Sequence, residues 1–363
     1  MPASRTSPRP PPKIDLALQG GGSHGAFSWG VLDRLLEDES LAFAGISGTS
    51  AGAINAAVMA TGFARGGRAG AREALAAFWR DTSRSGSPFS PADPGAAGAF
   101  AWDRLPGYRW VSSYWRSLSP YEFNPLNLNP LKDLLQRHVD CVALRDGPMR
   151  LFVTATSVHS GQARVFTRED MSLDALLASA CLPHLFQAVE IDGEPYWDGG
   201  YTGNPALYPL IYDTESLDLL LVKINPLERA GTPRRNAEIM DRLSEITFNA
   251  SLIGEMRAIA FVSRLVREGR LDSGRYKDLR LHMIADDAGL APLGAASKMD
   301  TTWPFLERLF ALGHAAASKW LKAHRADIGV RATLDIEGEF LGRRAAREAA
   351  TRPGAKRRRP ELP

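Results

Sequence analysis

A chain of 363 residues with 44% hydrophobic content carries enough apolar material for a full core, and its length suits one large α/β domain or two ordinary ones. No stretch reaches the roughly eighteen apolar residues of a membrane span, the first thirteen residues lack the apolar run of a secretory signal, and Cys141 and Cys181 form neither a disulfide framework nor a metal site; these absences predict a soluble cytoplasmic protein. The net charge is +3, but eight Lys/Arg against two Asp/Glu fall within 343–363, so the basicity belongs to a tail that suits peripheral contact with anionic membrane, and nucleic acid is not an expected partner.

In chain order, residues 1–13 read as a disordered proline-rich leader. Ile14, Leu16 and Leu18 predict a strand that runs into Gly20-Gly21-Gly22-Ser23-His24-Gly25, and Phe27, Val31, Leu32, Leu35 and Leu36 then recur at helical spacing. Gly20, Gly22 and Gly25 satisfy the dinucleotide fingerprint, which also demands an acid at the end of the second strand. Here that strand ends in Ser47-Gly48-Thr49-Ser50, and the acids Glu37, Asp38 and Glu39 precede it. The other use of a glycine run at a helix start is to offer closely approachable N–H donors to a developing oxyanion.

Phe43 and Ile46 close the second strand, and Ala51, Ala53, Ile54, Ala56, Ala57 and Val58 open a small-residue helix. Gly48-Thr49-Ser50-Ala51-Gly52 therefore falls on a strand-turn-helix junction, the setting of a nucleophile elbow, in which a β-carbon at Gly48 or Gly52 would collide with the neighbouring strand and helix. If the first two strands are parallel neighbours, the glycine loop lies beside Ser50.

A helix is expected over 62–80. Residues 83–130 are rich in Pro, Gly, Ser and aromatics, and read either as a lid or lipid-contact segment or as an insertion packed on the core. Helical spacing resumes at Leu131–Val139, strands follow at 151–156 and 163–167, and Leu173, Leu176 and Leu177 mark a short helix. An Asp192-Gly193 turn leads into Trp197-Asp198-Gly199-Gly200-Tyr201. Further on come a strand at 219–224, a helix over 236–267, a strand at 279–284 and a helix over 305–320. Ile239, Met240, Leu243, Ile246, Leu252, Ile253, Met256, Ile259 and Val262 are expected to form one packed core face of the 236–267 helix. With no internal repeat or linker, 14–226 and the mainly helical 227–341 read as one domain, followed by a disordered basic tail at 342–363.

The glycine loop, the GxSxG elbow and Asp198-Gly199-Gly200, in that order and spacing, resemble the patatin-like phospholipase family. The likeness runs from about Ile14 to Pro226 and includes Ala178–Pro183 and Asn204-Pro205. It implies a three-layer α/β/α sandwich with a mostly parallel central sheet and the aromatic-rich insertion, a Ser50 nucleophile and an Asp198 general base. The loop Gly20, Gly21, Gly22, Ser23, His24 and Gly25 would form the oxyanion hole, supported by Gly48, Gly52, Gly199 and Gly200. Many members carry an arginine where this chain has His24, which leaves the backbone donors but not the cation.

The expected chemistry is acyl transfer: Ser50 attacks a lipid ester, phospholipid or lysophospholipid first among candidates, and water then releases the acyl group. An ordinary aspartate, with a pKa of about 3.9, is a weak base, so Asp198 requires a site that excludes water. A Ser-His-Asp triad completed by His282 or His314 is an alternative, as are a simple carboxylesterase, an intracellular polyester depolymerase and a non-catalytic lipid-binding or protein-interaction module. No calcium loop or metal-ligand spacing occurs, so no cofactor or metal is expected.

Overall fold

The computed structural model describes residues 11–85, 118–229 and 231–342. Strand β1 (Lys13–Leu18) is buried from Ile14 onward, because Leu16 and Leu18 face one layer of helices while Ala17 faces another. Such a strand belongs at the centre of a sheet covered on both faces. It lies between β2 (Ala42–Thr49) and β7 (Asp218–Val222), parallel to both.

The sheet continues outward on one side through β3 (Arg150–Ser157), parallel to β2, and on the other through β8 (Arg280–Ile284), parallel to β7. Three short antiparallel strands finish it: β4 (Ala163–Phe166), β5 (Val189–Ile191) and β6 (Glu194–Asp198), giving the hydrogen-bonded path β5-β6-β3-β2-β1-β7-β8, with β4 on the edge of β3 away from β2 and β6 in line beyond the end of β2. Asp192 and Gly193, with φ of 54° and 78°, make the tight turn between β5 and β6 that an Asp-Gly pair favours.

On one face lie α1 (Gly25–Glu37), α2 (Ala51–Ser85) and the long helix Trp303–His324; on the other lie Tyr208–Asp213 and Asn236–Arg267. This is the expected α/β/α sandwich around a mostly parallel sheet. The two helices expected after Ser50 and over 62–80 are the two arms of α2, and the break between them falls at Gly66 and Gly67, inside the stretch expected as the second helix, where φ/ψ of −149°/24° and 60°/−145° reverse the chain. The second arm folds back on the first, so that Trp79 Nε1 donates to Asn55 Oδ1 at 3.0 Å.

The core stripe expected on Asn236–Arg267 is only half a core stripe. Leu252, Met256 and Ile259 are buried, whereas Ile239, Met240, Leu243 and Ile246 are 39–52% exposed. Helix geometry explains this: at about 100° per residue Glu245, Phe248 and Asn249 fall on the same stripe as Leu252, Met256 and Ile259 and are buried with them, whereas Ile239, Met240, Leu243 and Ile246 fall roughly 120–180° away on the opposite face. The leader up to residue 10, the stretch 86–117 and the tail 343–363 lie outside the described residues, and with them the expectations for the leader, the tail and most of the aromatic segment.

Candidate active site

Ser50 occupies the one-residue turn between β2 and α2 with φ of 52°, a left-handed conformation uncommon for a side-chain-bearing residue. The turn is tight enough that a β-carbon on Gly52 would stand 2.2 Å from the Leu18 carbonyl oxygen and one on Gly48 2.7 Å from Ala53 N. The Ser50 N–H donates to Ser179 Oγ at 2.9 Å, and the Ser47 and Thr49 hydroxyls donate to the carbonyls of Ala206 (2.5 Å) and Gly203 (2.6 Å). The elbow is therefore pinned to the segment that follows Asp198-Gly199-Gly200.

Register brings Asp198 to the same place. β2 pairs with β3 as far as Thr49 opposite Thr154, and β4 occupies the other edge of β3 from Val153 to Thr156. The antiparallel β6 pairs with Ala155, Thr156 and Ser157, so it must lie on the β2 edge, head-on beyond the end of β2, with Asp198 opposite Ala155. Thr49 and Asp198 thus face consecutive residues of β3.

Asp198 is 1% exposed, and burial pushes its pKa up to about 6 against the pull of the Gly200 N–H, the Ser50 hydroxyl and the Lys298 charge. Its Oδ1 accepts from Gly200 N at 2.7 Å; its Oδ2 is buried without a hydrogen-bond partner. The Ser50 hydroxyl is near enough to favour the ionised carboxylate but does not complete a hydrogen bond to Oδ2, a looseness common in unliganded catalytic pairs. A methyl on Gly199 would sit 2.0 Å from the Thr154 carbonyl oxygen. Gly199→Ala is accordingly expected to cost about 2–3 kcal/mol in urea unfolding and to displace Asp198, lowering turnover beyond what the folded fraction accounts for.

The glycine loop leaves the end of β1 next to the elbow: a β-carbon on Gly20 would lie 2.7 Å from Ser50 Cβ. Gly20 N donates to Asn204 Oδ1 (2.6 Å) and Gly20 O accepts from Asn225 Nδ2 (2.8 Å), while the amides of His24 and Gly25 turn back onto Gly21 and Gly22. Gly21, Gly22 and Ser23 line the cavity in front of Ser50, and no acceptor among the described residues takes their N–H groups. His24 does not line it. Its ring is buried and meets Ser297 Oγ at 2.8 Å, and burial together with the charges of Lys298 and Arg229 pushes its pKa down to about 3, so the ring is neutral.

Sequence reasoning did not find the polar frame behind this loop. Gln19, fully buried, accepts through Oε1 from Ile224 N and Asn225 N (both 2.9 Å) and donates to Asn249 Oδ1 (3.2 Å). Asn225 Oδ1 in turn accepts from Lys298 Nζ at 2.9 Å. The carboxyl ends of β1, β2 and β7 are thereby tied together, which is where ligands sit in parallel α/β sheets.

The cavity, of ≈ 440 Å³, has Ser50, Asp198 and the loop at its base and walls of Ile54, Phe78, Trp79, Leu134, Leu185, Phe186 and Phe248. Thr82, Ser85, Asn129 and Pro130 also line it, so the expected lid segment is anchored at the cavity on both sides of the undescribed stretch. The two alternative triad histidines are elsewhere. His282 is fully buried in β8 with Nε2 at 3.1 Å from Asp218 Oδ1 and Nδ1 at 2.9 Å from Thr333 Oγ1, toward the amino ends of the strands. Burial works to raise the Asp218 pKa, but His282, Arg280 and the Gly329 amide overturn this and hold the carboxyl well below the usual range. His314 lies on the Trp303–His324 helix with Glu37 and Asp33, a group whose two carboxylates already pair with Arg72.

A family model described as Patatin-like phospholipase matches residues 16–211. Among solved structures, VipD from Legionella pneumophila is similar at 14% identity and a TM-score of 0.44, with 94% of this chain and 75% of that chain covered. ExoU in its heterodimeric complex with SpcU, from the type III secretion system of Pseudomonas aeruginosa, is similar at 17% identity and a TM-score of 0.33, with 94% of this chain and 61% of that chain covered. No curated protein sequence matches.

Proposed function

The chain belongs to the patatin-like phospholipase family and is a lipid acyl hydrolase, and from that premise we propose that it cleaves the carboxylic esters of phospholipids or lysophospholipids with a dyad of Ser50 and Asp198. The observation that carries this reading is the buried, unpartnered Oδ2 of Asp198 beside the Ser50 hydroxyl at the base of an apolar cavity. Asp198 Oδ2 takes the hydroxyl proton as Ser50 Oγ attacks the ester carbonyl. The N–H groups of Gly21, Gly22 and Ser23 receive the developing oxyanion. The proton passes to the leaving alcohol, an acyl-serine remains, and water deprotonated by Asp198 releases the fatty acid.

Desolvation equips a weak base for this work, since a carboxylate raised to about 6 accepts a proton more readily than an ordinary aspartate and is still ionised at neutral pH. The apolar walls suit an acyl chain. No helix among the described residues is long and apolar enough to cross a membrane. The reading includes peripheral contact with anionic membrane, for which the eight Lys/Arg of 343–363 supply the charge.

The test is release of fatty acid from phospholipid vesicles and from a chromogenic medium-chain ester, both in EDTA. A wild type inert to both overturns the hydrolase, and lipid binding without turnover would make the chain a binding module. His282→Ala separates dyad from triad. It removes one partner of the Asp218 carboxylate and is expected to cost about 2–3 kcal/mol of stability. Turnover per folded molecule should stay within about threefold of wild type; a drop of about a thousandfold would install the triad.

A further inference from the structure

Lys298 is the one lysine or arginine among the described residues that line the cavity. It sits in the short helical turn Ala295–Met299, and its backbone is wedged against the glycine loop: a β-carbon on Gly22 would lie 2.4 Å from the Lys298 carbonyl oxygen. Its ammonium donates to the neutral Asn225 Oδ1 at 2.9 Å and stands 5.9 Å from the Phe248 ring centroid.

No carboxylate among the described residues comes within ion-pair distance of it. Three carboxylates of the cavity act on it from beyond that distance: Asp198, Asp241 and Glu245, the last occupied by Arg229, whose Nε reaches both carboxylate oxygens at 3.0 Å, and by Arg242 at 3.3 Å. A lysine ammonium carries three donors, so two remain for an occupant of the cavity. Its charge reaches the reacting groups, because it lowers the pKa of both His24 and Asp198.

A neutral ester would leave that partly desolvated cation and its two donors unanswered, which is unfavourable, whereas a phosphate fills both with charge-assisted bonds. We propose that Lys298 anchors the phosphate of a phosphate-bearing lipid ester and thereby makes the enzyme select such esters over neutral ones with the same acyl chain. This rests on the reading of the cavity as the site of ester hydrolysis. The position differs from that of a cation carried on the glycine loop: Lys298 arrives from the far end of the chain and is held by Asn225, which also holds Gly20. Head-group anchoring and oxyanion loop thus share one frame.

The test compares 1-octanoylglycerol-3-phosphate with 1-octanoylglycerol, which differ in the phosphate alone, for wild type, Lys298→Met and Lys298→Arg. The ratio of kcat/KM for the phosphate ester to that for the neutral ester is expected to fall about 10–100-fold in Lys298→Met, chiefly through KM, and to recover most of that loss in Lys298→Arg. A ratio unchanged in Lys298→Met, or a parallel loss on both esters, overturns the proposal. Equilibrium binding of the two esters to Ser50→Ala, with and without Lys298→Met, reads the same selectivity without turnover. A wild type that cleaves neither ester therefore defeats the hydrolytic reading, while an affinity ratio insensitive to Lys298 defeats this one.

Discussion

Ser50→Ala is expected to lower kcat by about a thousandfold or more on any ester the enzyme cleaves, and Asp198→Asn to do nearly the same. The expectation follows from the division of labour in the cavity. On the proposed mechanism no acyl-enzyme forms without Oγ, and without an anionic Oδ2 the hydroxyl loses its proton acceptor; His24, turned to Ser297, and His282, held by Asp218, do not replace it. What remains is the catalysis that the loop amides and substrate binding provide by themselves. The double variant should be scarcely worse than either single one, since the two groups act in one step. Folding is not at issue for Ser50→Ala, as alanine is no more strained than serine at a φ of 52° and the lost hydroxyl leaves no new buried polar group unpaired. Retention of more than a tenth of the activity by Ser50→Ala, with chromogenic ester turnover measured on protein of unchanged circular dichroism, would remove Ser50 from the reaction.

The second large effect joins stability to function at Asp198. Burial raises its pKa from 3.8 to about 6, so between those values the folded protein holds a proton that the unfolded chain has released. Stability therefore falls as pH climbs through this window, by a total of about 3 kcal/mol, and the penalty persists above it. Asparagine keeps an oxygen for the Gly200 N–H and has no charge to desolvate. Asp198→Asn is expected to melt about 5 °C above wild type at pH 8 and to lose that advantage below about pH 4. Over the same range kcat/KM of the wild type should rise with an inflection near pH 6, as the base becomes ionised. Melting temperatures and pH-rate profiles on one pair of proteins check both. A variant less stable than wild type at pH 8 would mean that the carboxylate is not held against its solvation, and the acid limb should then move toward pH 4.

The parts of the site that could be read from the sequence are those in which chemistry and backbone demand the same rare residue at adjacent positions. Gly48 and Gly52 around Ser50, and Gly199 and Gly200 after Asp198, are each required within a few residues of a reactive side chain, and the contacts of their missing β-carbons show why. Strands buried on both faces, such as β1 and β7, announced themselves as short apolar runs in the same way.

The frame of Gln19, Asn204, Asn225 and Lys298 had no such signal. Each is a common residue type, and their hydrogen bonds join positions as far as 230 apart in the chain, so nothing local distinguishes them. The helix Asn236–Arg267 failed differently. Its apolar residues are spread over more than one face, and the buried stripe takes in the polar Glu245 and Asn249, so apolarity alone misplaced the core side: Leu243 and Leu252 are nine residues apart, point in opposite directions, and only the second is packed. The break at Gly66 and Gly67 falls inside the helix expected over 62–80, and the folding of one arm back upon the other is held by Asn55 and Trp79, which are 24 residues apart.

The head-on arrangement of β2 and β6 also bears on how this architecture tolerates change. The spacing of nucleophile and base is set by one peptide step of β3, from Thr154 to Ala155, however long the chain that connects them. Because closing a longer loop costs only a slowly growing entropy, sequence of almost any length can be spliced between Ser50 and β3 without altering the reacting geometry. Ser85 and Asn129, which both line the cavity, fall in that slot. Cavity walls contributed from that slot can therefore change by insertion and deletion, while the step from Thr154 to Ala155 keeps Ser50 and Asp198 side by side.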